Sequence, residues 1–203
     1  MRSCAAGLAT AATAFCFAFS SVADATMIYD PSTRSYVNYK QRYTKSRRVP
    51  NRYKRKIVRY QTKEKPGTII VDTRSHYLYY VMGSGKAIRY GVGLGRTGFG
   101  WKGVVRVGHK KTWPAWTPPP EMVERDPRLT KFANGMPGGI HNPLGARALY
   151  LFDGGRDTLY RIHGTNEPWT IGLNVSSGCI RLVNDDVTDL HKRAKIGAKV
   201  IVK

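Results

Sequence analysis

Acidic residues are scarce in this chain: 13 Asp and Glu stand against 34 Lys and Arg in 203 residues, a formal charge of +21. That imbalance excludes an acidic, solvating composition and predicts a polyanionic partner: nucleic acid, a membrane surface or an anionic wall polymer. Cysteine is scarcer still, and three in this length exclude a disulfide-dense scaffold. There is no C-x-x-C or H-x-x-x-H pair of the kind that builds a zinc site. His141, His163 and Cys179 supply at most three scattered ligands, so no metal is expected. No repeat recurs at a fixed period. No apolar run reaches the roughly 20 residues that span a bilayer. What is present is enough for one domain with attachments, since 41% of the residues are hydrophobic.

Residues 1–25 read as a secretory signal peptide. Arg2 gives a short positive start, Cys4 to Phe19 is apolar or small, and Ser21-Val22-Ala23 and Ala23-Asp24-Ala25 both fit small-x-small cleavage. Cleavage removes Cys4 and Cys16 and leaves Cys179 alone, an unusual exported thiol. The chain is therefore expected in the periplasm or cell wall, with no transmembrane span after cleavage. Residues 26–65 read as a basic, disordered arm. Positions 31–65 hold 13 Lys/Arg against the single acid Glu64, with five tyrosines and no sustained period of 2 or 3.6. Export removes nucleic acid as a partner. The arm then fits either an anionic cell-envelope polymer or lipid headgroups, or a solvated tether without a ligand.

Residues 66–203 read as the folded domain. Short β-branched or aromatic runs occur at 68–72, 76–82, 87–92, 104–107, 148–152, 159–163, 179–182 and 199–202, separated by Gly or Pro clusters. Gly83-Ser84-Gly85 marks a hairpin turn. The pattern predicts a mainly β fold, a β-sandwich of mixed sheets or a barrel-like domain, with one helix in the C-terminal region. That helix has Asn184 as N-cap, Asp185 and Asp186 in its first turn, Val187, Leu190, His191 and Ala194 on one face, and Gly197 after it. Residues 109–146 are less regular. Trp113 to Pro120 excludes central strand and helix interior, so a long ordered loop is expected there, of the kind that borders a binding site.

Two runs carry possible chemistry. Gly93-Leu94-Gly95-Arg96-Thr97-Gly98 matches G-x-G-x-x-G, but Gly100, Trp101 and Gly103 follow in place of an amphipathic helix, and no acid lies about 20 residues on. It is a glycine-rich β-loop, and no cofactor is expected. The sharper constellation is Ile162-His163-Gly164-Thr165 with Asn174-Val175-Ser176-Ser177-Gly178-Cys179-Ile180-Arg181-Leu182. If the strands bearing them pair, the His163 imidazole reaches the Cys179 thiol and activates it as a nucleophile. Backbone N–H groups around Gly178 and Cys179 suit an oxyanion, and Arg181 suits a carboxylate. A buried cysteine beside an unrelated histidine is the structural alternative.

His163-Gly164-Thr165 followed by Ser177-Gly178-Cys179-Ile180-Arg181-Leu182 and Asn184 resembles the active-site signature of the YkuD-type L,D-transpeptidase family. Weaker matches run upstream through Val71, Asp72 and Leu78, Gly91-Val92-Gly93, Asn142-Pro143-Leu144-Gly145 and Arg147. The resemblance implies a β-sandwich catalytic domain that cross-links peptidoglycan stem peptides. Cys179 would form the acyl-enzyme and release D-alanine. His163 would be the general base, oriented by the carbonyl of Gly164, and Ser177, Gly178 and Arg181 would shape the donor site. Water or a protein amine as acceptor would instead give an L,D-carboxypeptidase or a protein-to-peptidoglycan anchoring enzyme. A non-enzymatic wall-binding protein is a further alternative. The chain departs from the family pattern at Ser177, where many members have histidine, and at Phe99-Gly100-Trp101-Lys102-Gly103, where Thr-Pro-Thr-Gly is usual.

Overall fold

The computed structural model describes residues 27–30, 35–38 and 49–203. The signal-peptide reading of residues 1–25, and with it Cys4 and Cys16, lies outside the described residues, as do positions 31–34 and 39–48 of the arm. Met27–Asp30 (β1) and Ser35–Asn38 (β2) pair antiparallel as a separate two-stranded unit.

The domain is built on Lys56–Arg59 (β3), Ile69–Asp72 (β4), Tyr77–Gly83 (β5), Lys86–Gly91 (β6), Leu94–Gly95 (β7), Gly103–Thr112 (β8), Arg147–Asp153 (β9), Arg156–His163 (β10), Asn174–Ser176 (β11), Ile180–Arg181 (β12) and Lys199–Val202 (β13). Nine of these form one mixed sheet in the order β12-β10-β9-β8-β13-β4-β5-β6-β3, and β11 pairs with β7. The strands follow the β-branched runs. Ile69, Ile70 and Val71 are all buried, as befits a strand with neighbours on both sides. The hairpin between β5 and β6 turns on Ser84 and Gly85, both at positive φ (50° and 64°), the conformation that two-residue hairpin loops demand.

The chain leaving β6 returns to the β12 edge. Immediately after β6, Gly93 exchanges both backbone hydrogen bonds with Arg181 of β12, at 2.9 and 2.8 Å. One core therefore collects residues from both wings: Ile69, Leu78 and Tyr90 from one, and Val107, Leu151, Ile162 and Ile180 from the other. This is the mainly β, mixed-strand architecture expected from the sequence, carried by one nine-stranded sheet.

Asn184–Arg193 (α2) covers the core with Val187 and Leu190. Asn184 does not cap it. Val183 occupies the N-cap position, and the Asn184 Oδ1 instead accepts from the Ala146 N–H at 2.9 Å. That oxygen lies where a Cβ on Gly145 or Gly164 would collide with it, so those two glycines create its site. The interaction ties the start of the helix to the backbone beside His163.

Two boundaries differ from those read in the sequence. The segment assigned to the disordered arm up to residue 65 joins the domain from residue 49. Asn51–Tyr53 forms a 3-10 turn and β3 adds to the sheet edge along β6. Tyr53 is 7% exposed, in a slot where a Cβ on Gly172 would overlap its ring, and Arg55 reaches Asp189 at 3.2 Å. The period-2 signal is missing because three of the four side chains, the apolar Ile57 among them, are exposed while the ladder is main chain. Likewise β8 does not stop at Val107. Gly108 is a bulge against the Phe152 ring, and the strand continues to Thr112. Beyond it the chain makes the short helix Pro120–Arg125 (α1), with proline at its start, and a 3-10 turn at Pro127–Phe132. Buried Asn142 pins this excursion, donating to the Pro114 and Pro137 carbonyls and accepting from the Leu144 N–H. Among the described residues no helix is long and apolar enough to cross a membrane.

Candidate active site

The parallel pairing of β10 and β12 aligns Ile162 with Ile180 and His163 with Arg181. Ile162 and Ile180 point into the core, at 0% and 2% exposure. Strand alternation then sends Arg161, His163, Cys179 and Arg181 to the opposite face. There they line a cleft of about 1010 Å³ together with Ser176, Ser177, Trp116, Thr117, Pro143 and Leu144.

The His163 Nδ1 lies 2.6 Å from the Gly164 carbonyl oxygen. A carbonyl only accepts, so Nδ1 carries the hydrogen and the Nε2 lone pair is left for another proton. Burial pushes the imidazole pKa down to about 4, and the Arg181 charge adds to the shift against the pull of the Gly164 and Leu144 carbonyls. The ring is thus neutral at physiological pH. Burial also pushes the Cys179 thiol up, opposed by a hydrogen bond from the Arg161 backbone and by the charges of Arg161 and Arg181. Both side chains line the one cleft, and burial shifts each toward its uncharged form, so thiolate has to form during attack. The low pKa of many reactive cysteines is absent here.

The turn that presents the thiol is held from three directions. Ser176 Oγ donates to the Cys179 carbonyl at 2.6 Å, and Trp101 Nε1 donates to the Gly178 carbonyl at 3.3 Å. Gly178 sits at φ 106°, and a side chain there would strike the Tyr160 ring, on which Trp101 stacks at 4.8 Å. Gly95 packs its backbone against Gly178 from below. The loop at 99–103, which departs from the family pattern, therefore shapes the cysteine turn through Trp101.

All six residues singled out in the sequence, His163, Gly164, Ser177, Gly178, Cys179 and Arg181, come together on this edge, with Ser177 lining the cleft. Arg181 is 11% exposed and 3.5 Å from Glu167. The sequence reading missed Arg161. It makes a bidentate pair with Asp157 at 2.7 and 2.8 Å and lies 4.2 Å over the Tyr150 ring. Its signal was available, two residues before His163 on the same strand face. It also missed Arg96, Arg125 and Arg128, which reach the cleft from loops and α1 and leave no periodic trace.

Gly93–Gly98 does not open a helix. Gly93 bridges to Arg181, Leu94 and Gly95 pair with β11, and a turn follows. The run is a wall of the cysteine turn and offers no helix N-terminus to a pyrophosphate. Among the described residues no group of three His, Cys, Asp or Glu side chains is placed to hold a metal ion.

Comparison with known proteins agrees with this geometry. The YkuD model, the L,D-transpeptidase catalytic domain, matches residues 66–202. The probable L,D-transpeptidase YbiS of Escherichia coli K12 is 36% identical over 139 residues, 66% of this chain and 43% of that protein. The probable L,D-transpeptidase ErfK/SrfK of the same strain is 38% identical over 141 residues, 65% of this chain and 42% of that protein. The matched region thus spans less than half the length of these relatives. A crystal structure from Brucella melitensis, named a probable carnitine operon oxidoreductase, is 46% identical with a TM-score of 0.53. It covers 76% of this chain and 96% of its own.

Proposed function

The chain belongs to the L,D-transpeptidase catalytic domain family, and from that premise we propose that it is an exported cysteine transpeptidase that cross-links peptidoglycan stem peptides through an acyl-enzyme on Cys179. The observation that carries this reading is the β10–β12 register, which sets the thiol and the imidazole on one face of the sheet with Nδ1–H committed to Gly164.

In the acylation step Nε2 of His163 accepts the Sγ proton as sulfur attacks the carbonyl carbon of the third residue of a stem tetrapeptide. The Gly178 and Cys179 N–H groups take up the developing oxyanion. The imidazolium returns the proton to the amine of the terminal D-alanine, which departs and leaves a thioester. The amine of a neighbouring stem then attacks the thioester carbon. Nε2 removes its proton, the C–S bond breaks, and the ring reprotonates the sulfur. A neutral starting pair suits this cycle, because charge separates only once substrate has displaced water from the cleft. Which acceptor enters is decided by differential binding in the second half-reaction, so hydrolysis and protein anchoring share the first half. The redox name of the Brucella structure finds no counterpart in the Gly93–Gly98 run, which is committed to β pairing.

The test is to incubate the protein and its Cys179→Ala variant with tetrapeptide-bearing muropeptides. Wild type is expected to release D-alanine and form dimers, and to gain the mass of one acyl adduct with a carbapenem. The variant is expected to do none of these while remaining folded. Equal D-alanine release by the variant overturns the assignment.

A further inference from the structure

A second cavity, of about 820 Å³, shares no lining residue with the cysteine cleft. Six of its side chains are cationic, Lys63, Lys65, Arg106, Arg193, Lys195 and Lys199, against the single acid Glu64. Glu64 is already committed to Lys199, with both carboxylate oxygens 2.9 Å from Nζ. Arg193 is bidentate to Asp189 at 2.9 and 3.0 Å. Lys63, Lys65 and Lys195 are exposed and have no carboxylate partner among the described residues. Like charges gathered in one groove without counter-ions make a favourable place for anionic groups.

The cations stand on fixed backbone. The Gly67 N–H donates to the Val81 carbonyl and the Val81 N–H to the Thr68 carbonyl, both at 2.9 Å, so the segment after Lys63 and Lys65 is laced to β5. The carbonyls at and beyond the end of α2, which would repel an anion, are occupied. Tyr80 Oη donates to the Arg193 carbonyl at 3.2 Å, Lys110 Nζ to Ala194 at 2.7 Å and Arg106 to Gly197 at 3.1 Å. Two large apolar side chains accompany these charges. Met82 lines the groove at 40% exposure, and Ile196, at 65%, follows Lys195 directly. A soluble polyanion engages the lysines and leaves the apolar pair in water. A lipid leaflet engages both, with headgroup phosphates on the cations and the acyl boundary on Met82 and Ile196.

We propose that this groove docks the domain on an anionic lipid surface, with Lys63, Lys65 and Lys195 on headgroup phosphates and Met82 and Ile196 seated at the acyl boundary. Docking is a binding property, measured without turnover, and it stands independently of the chemistry at Cys179. The experiment sediments the full chain with phosphatidylcholine vesicles, with and without phosphatidylglycerol, and titrates it separately with soluble polyphosphate. Wild type is expected to bind the phosphatidylglycerol vesicles and to leave the neutral ones in suspension. Each lysine at an anionic leaflet is worth about fivefold in affinity, so the combined variant Lys63→Gln, Lys65→Gln, Lys195→Gln is expected to bind about 10²-fold more weakly. Lys54→Gln, Lys102→Gln, Lys131→Gln removes the same charge from exposed positions outside the groove and is expected to weaken binding far less. Met82→Ser with Ile196→Ser is expected to weaken vesicle binding by about tenfold and to leave polyphosphate binding unchanged. All these side chains are exposed, so thermal midpoints should stay at the wild-type value. No binding of wild type to the anionic vesicles overturns the proposal, as does equal weakening by the two lysine variants. Vesicle binding that survives loss of Met82 and Ile196 undiminished also overturns it, and assigns the groove to a soluble phosphate polymer instead.

Discussion

The two ends of the nine-stranded sheet are built on opposite plans. At one end, β12 is only two residues long and is fixed by contacts specific to individual atoms: Gly93 to Arg181, Ser176 to Cys179, Trp101 to Gly178 and the close approach of Gly95. At the other, β3 is four residues of mostly exposed, basic strand, and its ladder to β6 asks little of its side chains. The β3 edge is anchored from outside the strand, by Tyr53 in its slot and by Arg55 on α2. Lys56 and Arg59 also make it a poor template for another chain's strand. A reactive edge needs position, and so it is short and crowded with unique contacts. A closing edge needs only pairing and one or two anchors. If the contrast is sound, damage at β12 removes chemistry and spares the fold, and damage near β3 does the reverse.

The largest effect is expected at His163. His163→Gln retains volume and a donor for the Gly164 carbonyl but cannot take the thiol proton. Acylation by a carbapenem or tetrapeptide should fall by about 10²- to 10⁴-fold, the range of general-base catalysis. The thermal midpoint at pH 7 should be little changed, because the imidazole it replaces is neutral there. In the wild type, the acid limb of kcat/KM should lie near pH 4, well below the ordinary 6.5 of histidine. A limb at 6.5 would mean that His163 is solvated and would undo the account of a neutral resting pair.

Tyr53→Ala tests the other end. Truncating a buried aromatic in a slot shaped by Gly172 should cost about 3 kcal/mol of stability, read as a lower denaturation midpoint. Acylation per folded molecule should stay within a few-fold of wild type. A loss of turnover comparable to His163→Gln would show that the β3 edge is part of the catalytic support, and the contrast between the two ends would fail.

The same contrast explains what could be read in advance. Val71, Leu78, Leu149 and Val200 sit in strands whose β-branched and apolar runs are unmistakable, and the eight runs named from the sequence all contain paired backbone. The meeting of His163, Gly164, Gly178 and Cys179 was legible because both runs border strand candidates, and the β10–β12 pairing sets them on one edge. Residues 51–59 were opaque because an edge strand with exposed basic side chains has the composition of a tether. Asn184 was misread for a related reason. A side-chain oxygen at a helix start can bond its own helix or a neighbouring backbone, and only the tertiary placement of Gly145 and Gly164 chooses between them. Arg96 lies in the loop after β7 and Arg125 at the end of α1, and no spacing in the sequence brings them to one ring.

The smallest effect sets the two ends against each other through pH. Asp186, 3.6 Å from Arg55 beside β3, has its carboxyl pKa pushed up to about 6 by burial, with Asp185 and Asp189 reinforcing it against the Arg55 charge. Between pH 4 and 6 the folded state then holds a proton on Asp186 that the unfolded state has released, so this group lowers stability as pH rises. His163 acts in the reverse sense. Its folded value of about 4 lies below the unfolded 6.5, so between pH 4 and 6.5 the unfolded state holds the extra proton and stability rises with pH. The two slopes oppose each other, so Asp186 offsets part of the rise that His163 and the likewise lowered His191 give from pH 4 to 6. Asp186→Asn removes one of them. The variant should match wild type near pH 4 and exceed it at pH 7 by about 2 kcal/mol at most, a figure reduced for the remaining solvent exposure and the lost Arg55 contact. Its stability should climb more steeply than wild type through the histidine window, and adding His163→Gln should reduce that slope to the share left by His191. Denaturation midpoints of the wild type, the single variant and the double variant across pH 4 to 7 decide this. A flat profile for Asp186→Asn would mean that the buried imidazole does not resist protonation, and the catalytic end would lose the desolvation on which its chemistry depends.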